Sequence, residues 1–312
     1  MKQPINIYLA AVYTNSYMPG GNRYPKLTEE EKVIVERAKG HNILESWHYV
    51  HRQRYVNYMR DNKAKVFLDS GAFSAWTMGV SMNIYKYCQW IIENQDIIRI
   101  DGNALMASVL DAIGDAQGTF ENQMQMEKLG VRPLPCFHKY EDPRYLEFYV
   151  ANYEYITIGG MVGTPPKELE VWLDQIWGKY LTDGAGNAKI KVHGFGLTSV
   201  PLMERYPWHS CDSSSWIQAA SFGSIYLADH GPLAVSSQSP SRHLAGQHLC
   251  NKTELEREYL LKLLGSAGFT EERVGEVYES RAIYNLMGYM DLNERINKER
   301  AYQTENLQTG LF

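Results

Sequence analysis

The 312-residue chain has only four cysteines, no long apolar run and no excess of positive charge, and each shortage excludes something. Cys88, Cys136, Cys211 and Cys250 lie far apart with no paired spacing, so a disulfide framework is not expected and the thiols read as reduced. No stretch is long enough to span a bilayer, and the Met1-Lys2-Gln3-Pro4 start lacks the apolar core of a secretion signal. The expectation is a cytoplasmic protein with no membrane partner. A net charge of −5 argues against a general nucleic-acid coating protein, while leaving room for a local basic patch. No Gly-x-Gly-x-x-Gly follows the first apolar run, which removes the main support for a dinucleotide-binding sheet.

What is present describes a globular protein, with 44% hydrophobic and 21% charged residues. Tyrosine (22) and tryptophan (7) are plentiful, which suits stacking on flat ligands as well as core packing. Apolar runs of strand character occur at residues 5–12, 65–68, 107–110, 132–137, 155–158, 189–192, 208–211 and 224–227. Most are separated by helical patterns, among them 28–60, 84–95, 121–129, 143–152 and 165–180. Strands alternating with helices at this length predict an α/β fold, a (β/α)₈ TIM barrel over residues 1–235. Residues 236–312, with helical patterns at 254–264 and 271–298, are expected to form a C-terminal helical extension packed on it.

One stretch organises the rest: Val66-Phe67-Leu68-Asp69-Ser70-Gly71-Ala72-Phe73-Ser74, an apolar strand ending in a carboxylate, a hydroxyl and a glycine. The pattern recurs at Asp111, His138, Gly159-Gly160, His193-Gly194-Phe195-Gly196 and Asp212. In a barrel these strand ends converge on one mouth. Three carboxylates there permit acid, base and nucleophile roles. Glycines leave backbone N–H groups free to bind a carbonyl oxygen. A carboxylate beside bare amides can read a purine edge. Three accounts compete: a divalent-metal site, two-carboxylate chemistry at a C1′ carbon, and buried aspartates satisfied by backbone N–H groups. His138 and His193 are candidate substrate contacts. Arg52, Arg54, Arg60 and Arg242, with Lys63 and Lys65, are candidate phosphate contacts or plain solvated surface.

These motifs carry a resemblance. Asp69-Ser70-Gly71-Ala72-Phe73-Ser74 is similar to the Asp-Ser-Gly-Gly-Phe-Gln motif of the tRNA-guanine transglycosylases. Val109-Leu110-Asp111 looks like their Val-Leu-Asp segment, and Gly159-Gly160-Met161-Val162-Gly163 like their guanine-binding turn. Cys211-Asp212-Ser213-Ser214-Ser215-Trp216 falls where that family places its nucleophile, after a Gly-x-Gly segment (Gly194-Phe195-Gly196). The Asp-Ser-Gly-Ala-Phe-Ser and Asp-Ser-Ser-Ser-Trp variants look most like the phage-type DNA 7-deazaguanine transglycosylases, which would place the protein in a host cytoplasm. The resemblance implies exchange of guanine in DNA for a free 7-deazaguanine base such as 7-cyano-7-deazaguanine. Asp212 would attack C1′, Asp69 would act as general acid/base, Asp111 would grip the Watson–Crick edge, and Gly159 and Gly160 would donate to O6. Ser70, Gly71 and Gly196 would complete the pocket.

Two features depart from the family pattern. Its stacking aromatic, expected shortly before Val109, is replaced by Leu105-Met106, which leaves Phe73 as the aromatic to examine. Its Cys-x-Cys-x-x-Cys zinc motif is absent: Cys250 is followed by Lys252 and Leu255, with His243 and His248 as weak companions. No cofactor is therefore expected for the chemistry, and a structural zinc is not favoured. Alternatives to the DNA enzyme are the same reaction on tRNA and a non-catalytic nucleic-acid-binding barrel.

Overall fold

The computed structural model describes residues 3–227 and 231–309. The chain divides into two compact units, residues 1–14, 42–213 and 296–312 in the first, and 15–41 with 214–295 in the second.

The first unit is built on a seven-stranded sheet in the order β3-β2-β1-β9-β8-β7-β6. Its strands are β1 (Asn6–Ala10), β2 (Ile43–Ser46), β3 (Val66–Asp69), β6 (Cys136–His138), β7 (Tyr155–Gly159), β8 (Lys191–Gly194) and β9 (Ser210–Ser213), all pairing in parallel. Between β3 and β6 in sequence, β4 (Ile100–Asp101) and β5 (Ala104–Leu105) form only a two-residue antiparallel pair. The fold is α/β with a curled parallel sheet, and the expected closed eight-stranded barrel is corrected. The eighth position, predicted at 107–110, is an extended segment carrying single bridges, Leu68 to Ala107 and Ser108 to Leu134, rather than a strand with a ladder. The other predicted strand, 224–227, is β10 (Ser224–Leu227), which pairs antiparallel with β11 (Gly231–Ala234) in the second unit. Conversely, β2 interrupts what the sequence presented as one helical region over 28–60.

Period-2 alternation explains which side chains fill the curl. Tyr8, Ala10, Leu44, Phe67, Met106, Leu134 and Tyr155 pack there as one buried cluster, with Phe195 against it. Met106 is thus committed to the interior and has no face for a ligand. Two residues further along the same strand faces stand Ser46, Asp69, Cys136 and Thr157, so the polar groups at the C-terminal ends rest on an aromatic floor.

Two buried charged groups tie loops to this sheet. Glu45, fully buried, accepts the backbone N–H of Tyr13 (2.6 Å) and of Thr14 (3.2 Å) and the Thr14 hydroxyl (2.7 Å), fixing the chain as it leaves β1. Burial nevertheless pushes its pKa up to about 7. Arg300, in the long C-terminal helix Tyr278–Thr309, donates to the carbonyl oxygens of Gln3 (2.6 Å), Met203 (2.7 Å), Trp208 (3.1 Å) and Tyr206 (3.2 Å). Beside it the Asn297 side chain exchanges two hydrogen bonds with the Ile5 backbone.

In the second unit, Arg273 grips the buried Glu31 through two donors (2.7 and 2.6 Å). Asn285 donates to the carbonyls of Trp216 and Ser224 and accepts from the Tyr226 N–H. Among the described residues no helix is long and apolar enough to cross a membrane.

Arg300→Ala strands several buried carbonyls at once. It should cost roughly 2–4 kcal/mol, read as a lowered urea midpoint at unchanged m-value.

Candidate active site at the strand ends

Asp69 is the last residue of β3, and Gly71, two residues on, stands at φ 79°. A Cβ at position 71 would stand 2.3 Å from the Ser46 hydroxyl and 2.5 Å from the His48 Cβ, so only glycine passes there. The turn lets the Gly71 N–H donate to Asp69 Oδ2 (2.9 Å). Ser108 serves from the neighbouring segment: its Oγ accepts the Ser70 N–H (2.9 Å) and makes a long contact to Asp69 Oδ1 (3.4 Å). Burial, then the nearby Asp111 and Asp212 carboxylates, push the Asp69 pKa up to about 7. Asp111 and Asp212 are thus the two charges that Asp69 feels.

Asp212 lies in β9 and is 8% exposed. Its Oδ1 accepts the Gly196 N–H (2.9 Å) and faces His193 Nε2 (3.2 Å). Both contacts fall on one oxygen, leaving Oδ2 without a hydrogen bond among the described residues. His193 is fully buried, T-shaped against Tyr8, Phe67 and Phe195. Burial lowers its pKa despite Asp212, so the ring is neutral. A connected line runs beneath it: His193 Nδ1 to Ser210 Oγ (2.6 Å), then Ser210 Oγ to the Tyr155 hydroxyl (2.6 Å). The consistent proton assignment is Tyr155 donating to Ser210, Ser210 to Nδ1, and Nε2–H to Asp212. His193 therefore positions Asp212 and is too deep to meet a ligand directly.

Asp111 follows the 107–110 segment. Its Oδ1 is buried with no hydrogen-bond partner, and its Oδ2 lies 3.5 Å from His138 Nε2. His138 ends β6, and Glu141 returns to it: the His138 N–H donates to Oε2 (2.9 Å), and Nδ1 meets Oε1 (3.1 Å). The return needs Tyr140 at φ 70°, an uncommon conformation for an aromatic residue. Burial works against a charged His138, yet the Cys136 sulfur and the Asp111 carboxylate hold its pKa above the ordinary histidine value. Burial pushes the Cys136 thiol up to about 11.

The glycines have local reasons. A Cβ on Gly159 would stand 2.7 Å from the His138 ring, and one on Gly160 (φ 71°) 3.0 Å from the Lys139 nitrogen. Gly196 (φ 62°) leaves room for Val162 while its N–H serves Asp212. Ser70 is buried beside Asp69, whereas Phe73 is 60% exposed on the helix Ala72–Thr77, tilted against an equally exposed Trp76. The structure thus gathers Asp69, Asp111, His138, His193 and Asp212 at one end of the sheet, with Ser70 and Gly71 beside Asp69, and leaves Phe73 on the surface.

Other predicted positions fall elsewhere. Arg52 and Arg54 are exposed, Arg54 lying over the Tyr55 ring. Arg60 is paired through two donors with Asp96 (2.7 and 2.8 Å). In the second unit Arg242 is exposed and donates to the Ser237 carbonyl. His248 spends both ring nitrogens, one on the Ser236 carbonyl and one on the Cys250 N–H, so it offers no metal a lone pair. A cavity of about 550 Å³, lined by Leu105, Pro133, Asn152, Tyr155 and Lys189, opens near the N-terminal ends of β7 and β8, away from the carboxylates. Its lining includes none of the strand-end acids, so it is separate from the candidate site.

The sequence reading missed Ser108, Ser210, Cys136 and Glu141. Cys136-Phe137-His138 carried a usable signal, because residues two apart on a strand share a face.

Asp69 gives a pH test. Its folded-state pKa lies above the unfolded value, so the folded protein holds the proton longer and stability falls as pH rises from about 4 to about 7. Asp69→Asn removes that slope. The stability of the variant relative to wild type should climb across this window and level off above it, as followed by urea unfolding at stepped pH.

No protein-family model matches the chain and no curated protein matches it, so the residues and their geometry carry the functional argument.

Proposed function

We propose that the protein is a pentosyltransferase that exchanges guanine in DNA for a 7-deazaguanine base through a covalent Asp212–sugar intermediate. The supporting observation is the division of roles among three neighbouring aspartates. Asp212 has one oxygen held by the Gly196 N–H and His193 and the other bare, as a nucleophile requires. Asp69, with its pKa near 7, is divided between acid and base at neutral pH. Asp111 keeps a buried acceptor, Oδ1, without a partner among the described residues. The N1–H or exocyclic amine of a guanine-type ring supplies the missing donor.

The first half-reaction starts with the target nucleotide turned out of the stack. Asp212 Oδ2 attacks C1′ as the C1′–N9 bond breaks, and Asp69 delivers a proton to the departing base. Guanine leaves, and the incoming 7-deazaguanine takes its place against Asp111. Asp69, now a carboxylate, accepts the N9 proton of the new base as N9 displaces the Asp212 oxygen. Charge and protons balance over the cycle, and Asp69 returns to its starting state. His193 and the Gly196 N–H hold Asp212 on one rotamer throughout. The choice of DNA as acceptor rests on the resemblance of the Asp69 and Asp212 motifs to the phage-type branch.

The test uses radiolabelled guanine with duplex DNA, single-stranded DNA and tRNA as separate acceptors. Label should enter DNA, and Asp212→Ala should lower incorporation by at least about 1000-fold. Base release should slow above about pH 7, as Asp69 loses its proton. Label entering only tRNA overturns the acceptor and keeps the chemistry. Incorporation that survives in Asp212→Ala removes the covalent mechanism.

A further inference from the structure

We infer that Asp111, Cys136 and His138 form a binding site for a zinc-class divalent metal ion, with three protein ligands and one open position. The inference stands apart from the base-exchange reading and uses only the geometry at the end of β6.

Cys136 and His138 are two residues apart on one strand, so both side chains leave the same face. Asp111 arrives on the adjoining segment, which the bridge from Ser108 to Leu134 and the hydrogen bond from the Val109 N–H to the Leu134 carbonyl (3.0 Å) hold beside β6. One ligand atom from each residue falls within a sphere of mutual distances no greater than 4.8 Å. His138 Nε2 stands 3.5 Å from Cys136 Sγ and 3.5 Å from Asp111 Oδ2. Bonds of about 2.1 Å to nitrogen or oxygen and about 2.3 Å to sulfur at tetrahedral angles put ligand atoms about 3.4–3.6 Å apart. The 3.5 Å from Nε2 to the Asp111 oxygen is long for a hydrogen bond, and both separations match the edges of such a tetrahedron.

Two further observations point the same way. Glu141 holds His138 Nδ1 at 3.1 Å, which anchors a proton there and leaves Nε2, facing Cys136 and Asp111, as the nitrogen that gives up its proton to an incoming ion. A carboxylate behind a histidine is the usual outer partner of a metal-bound imidazole. Asp111 Oδ1 is buried with no hydrogen-bond partner among the described residues, so the carboxylate has coordination capacity to spare. A thiolate, an imidazole and a carboxylate form a mixed soft and borderline donor set, which favours zinc-class ions over calcium or magnesium. Gly159 completes the site by absence, since a side chain there would displace the His138 ring.

The full chain, stripped of metal with a chelator, should be titrated with Co²⁺ as a spectroscopic substitute for Zn²⁺. One equivalent should give the d–d absorption of a near-tetrahedral ion and a thiolate-to-cobalt charge-transfer band. The band should vanish in Cys136→Ser and persist in Cys250→Ser, the exposed cysteine. Glu141→Gln, which leaves all three ligands in place, should weaken binding roughly 10- to 100-fold. If Cys136→Ser does not fold, Glu141→Gln decides by itself, and unchanged affinity there overturns the site. Absence of a thiolate band in wild type, or a band that survives in Cys136→Ser, overturns it equally.

Discussion

Asp69, Asp111 and Asp212 share one end of a parallel sheet, and three like charges in a poorly hydrated space cannot all be carried at full strength. The floor offers no relief, because Tyr8, Phe67, Tyr155 and Phe195 close it from beneath. Each carboxylate is therefore settled differently. Asp69 raises its pKa and takes up a proton near neutrality. Asp212 receives a backbone N–H and an imidazole on a single oxygen. Asp111 turns one oxygen toward His138 and leaves the other unpaired. Identical side chains thus acquire three different settings from their surroundings, and the proposed roles of acid, nucleophile and acceptor follow those differences.

The line from Tyr155 through Ser210 and His193 makes the Asp212 arrangement directional. A neutral imidazole can donate from one nitrogen only. The Ser210 hydroxyl, receiving from Tyr155, gives its proton to Nδ1, and the ring proton must then sit on Nε2, facing Asp212. Were His193 charged, it would hold Asp212 as an ion pair and dull the carboxylate as a nucleophile. Burial against three aromatic rings prevents that. The floor that denies Asp69 its charge therefore also keeps His193 neutral.

The sequence shows much of this where a strand ends abruptly in chemistry. Val66-Phe67-Leu68 running into Asp69, and Cys211 running into Asp212, are legible because apolar runs make the following carboxylate conspicuous. β2 was not legible, for Ile43-Leu44-Glu45-Ser46 is short and carries a glutamate whose burial depends on donors from residues 13 and 14. Nor could local pattern separate 224–227, which pairs with a neighbouring hairpin strand, from a strand of the main sheet. The Glu141 contact was still further out of reach, because it hangs on a tyrosine in the left-handed region, a conformation that this residue type does not announce.

Asp111 is where the two proposals meet, and its two oxygens keep them compatible. Oδ2 is the atom on the His138 and Cys136 side, while Oδ1 is the unpaired acceptor. An ion bound through Oδ2 would lock the carboxylate plane and so fix the direction in which Oδ1 accepts. It would also draw electron density from Oδ1 and soften its grip on a purine donor, trading strength for orientation. An ion there would add a positive charge near Asp69, pulling that carboxyl back toward its ordinary acidity and shifting the acid–base balance of the site to lower pH. Under the metal proposal, metal content and the pH at which Asp69 gives up its proton become coupled quantities.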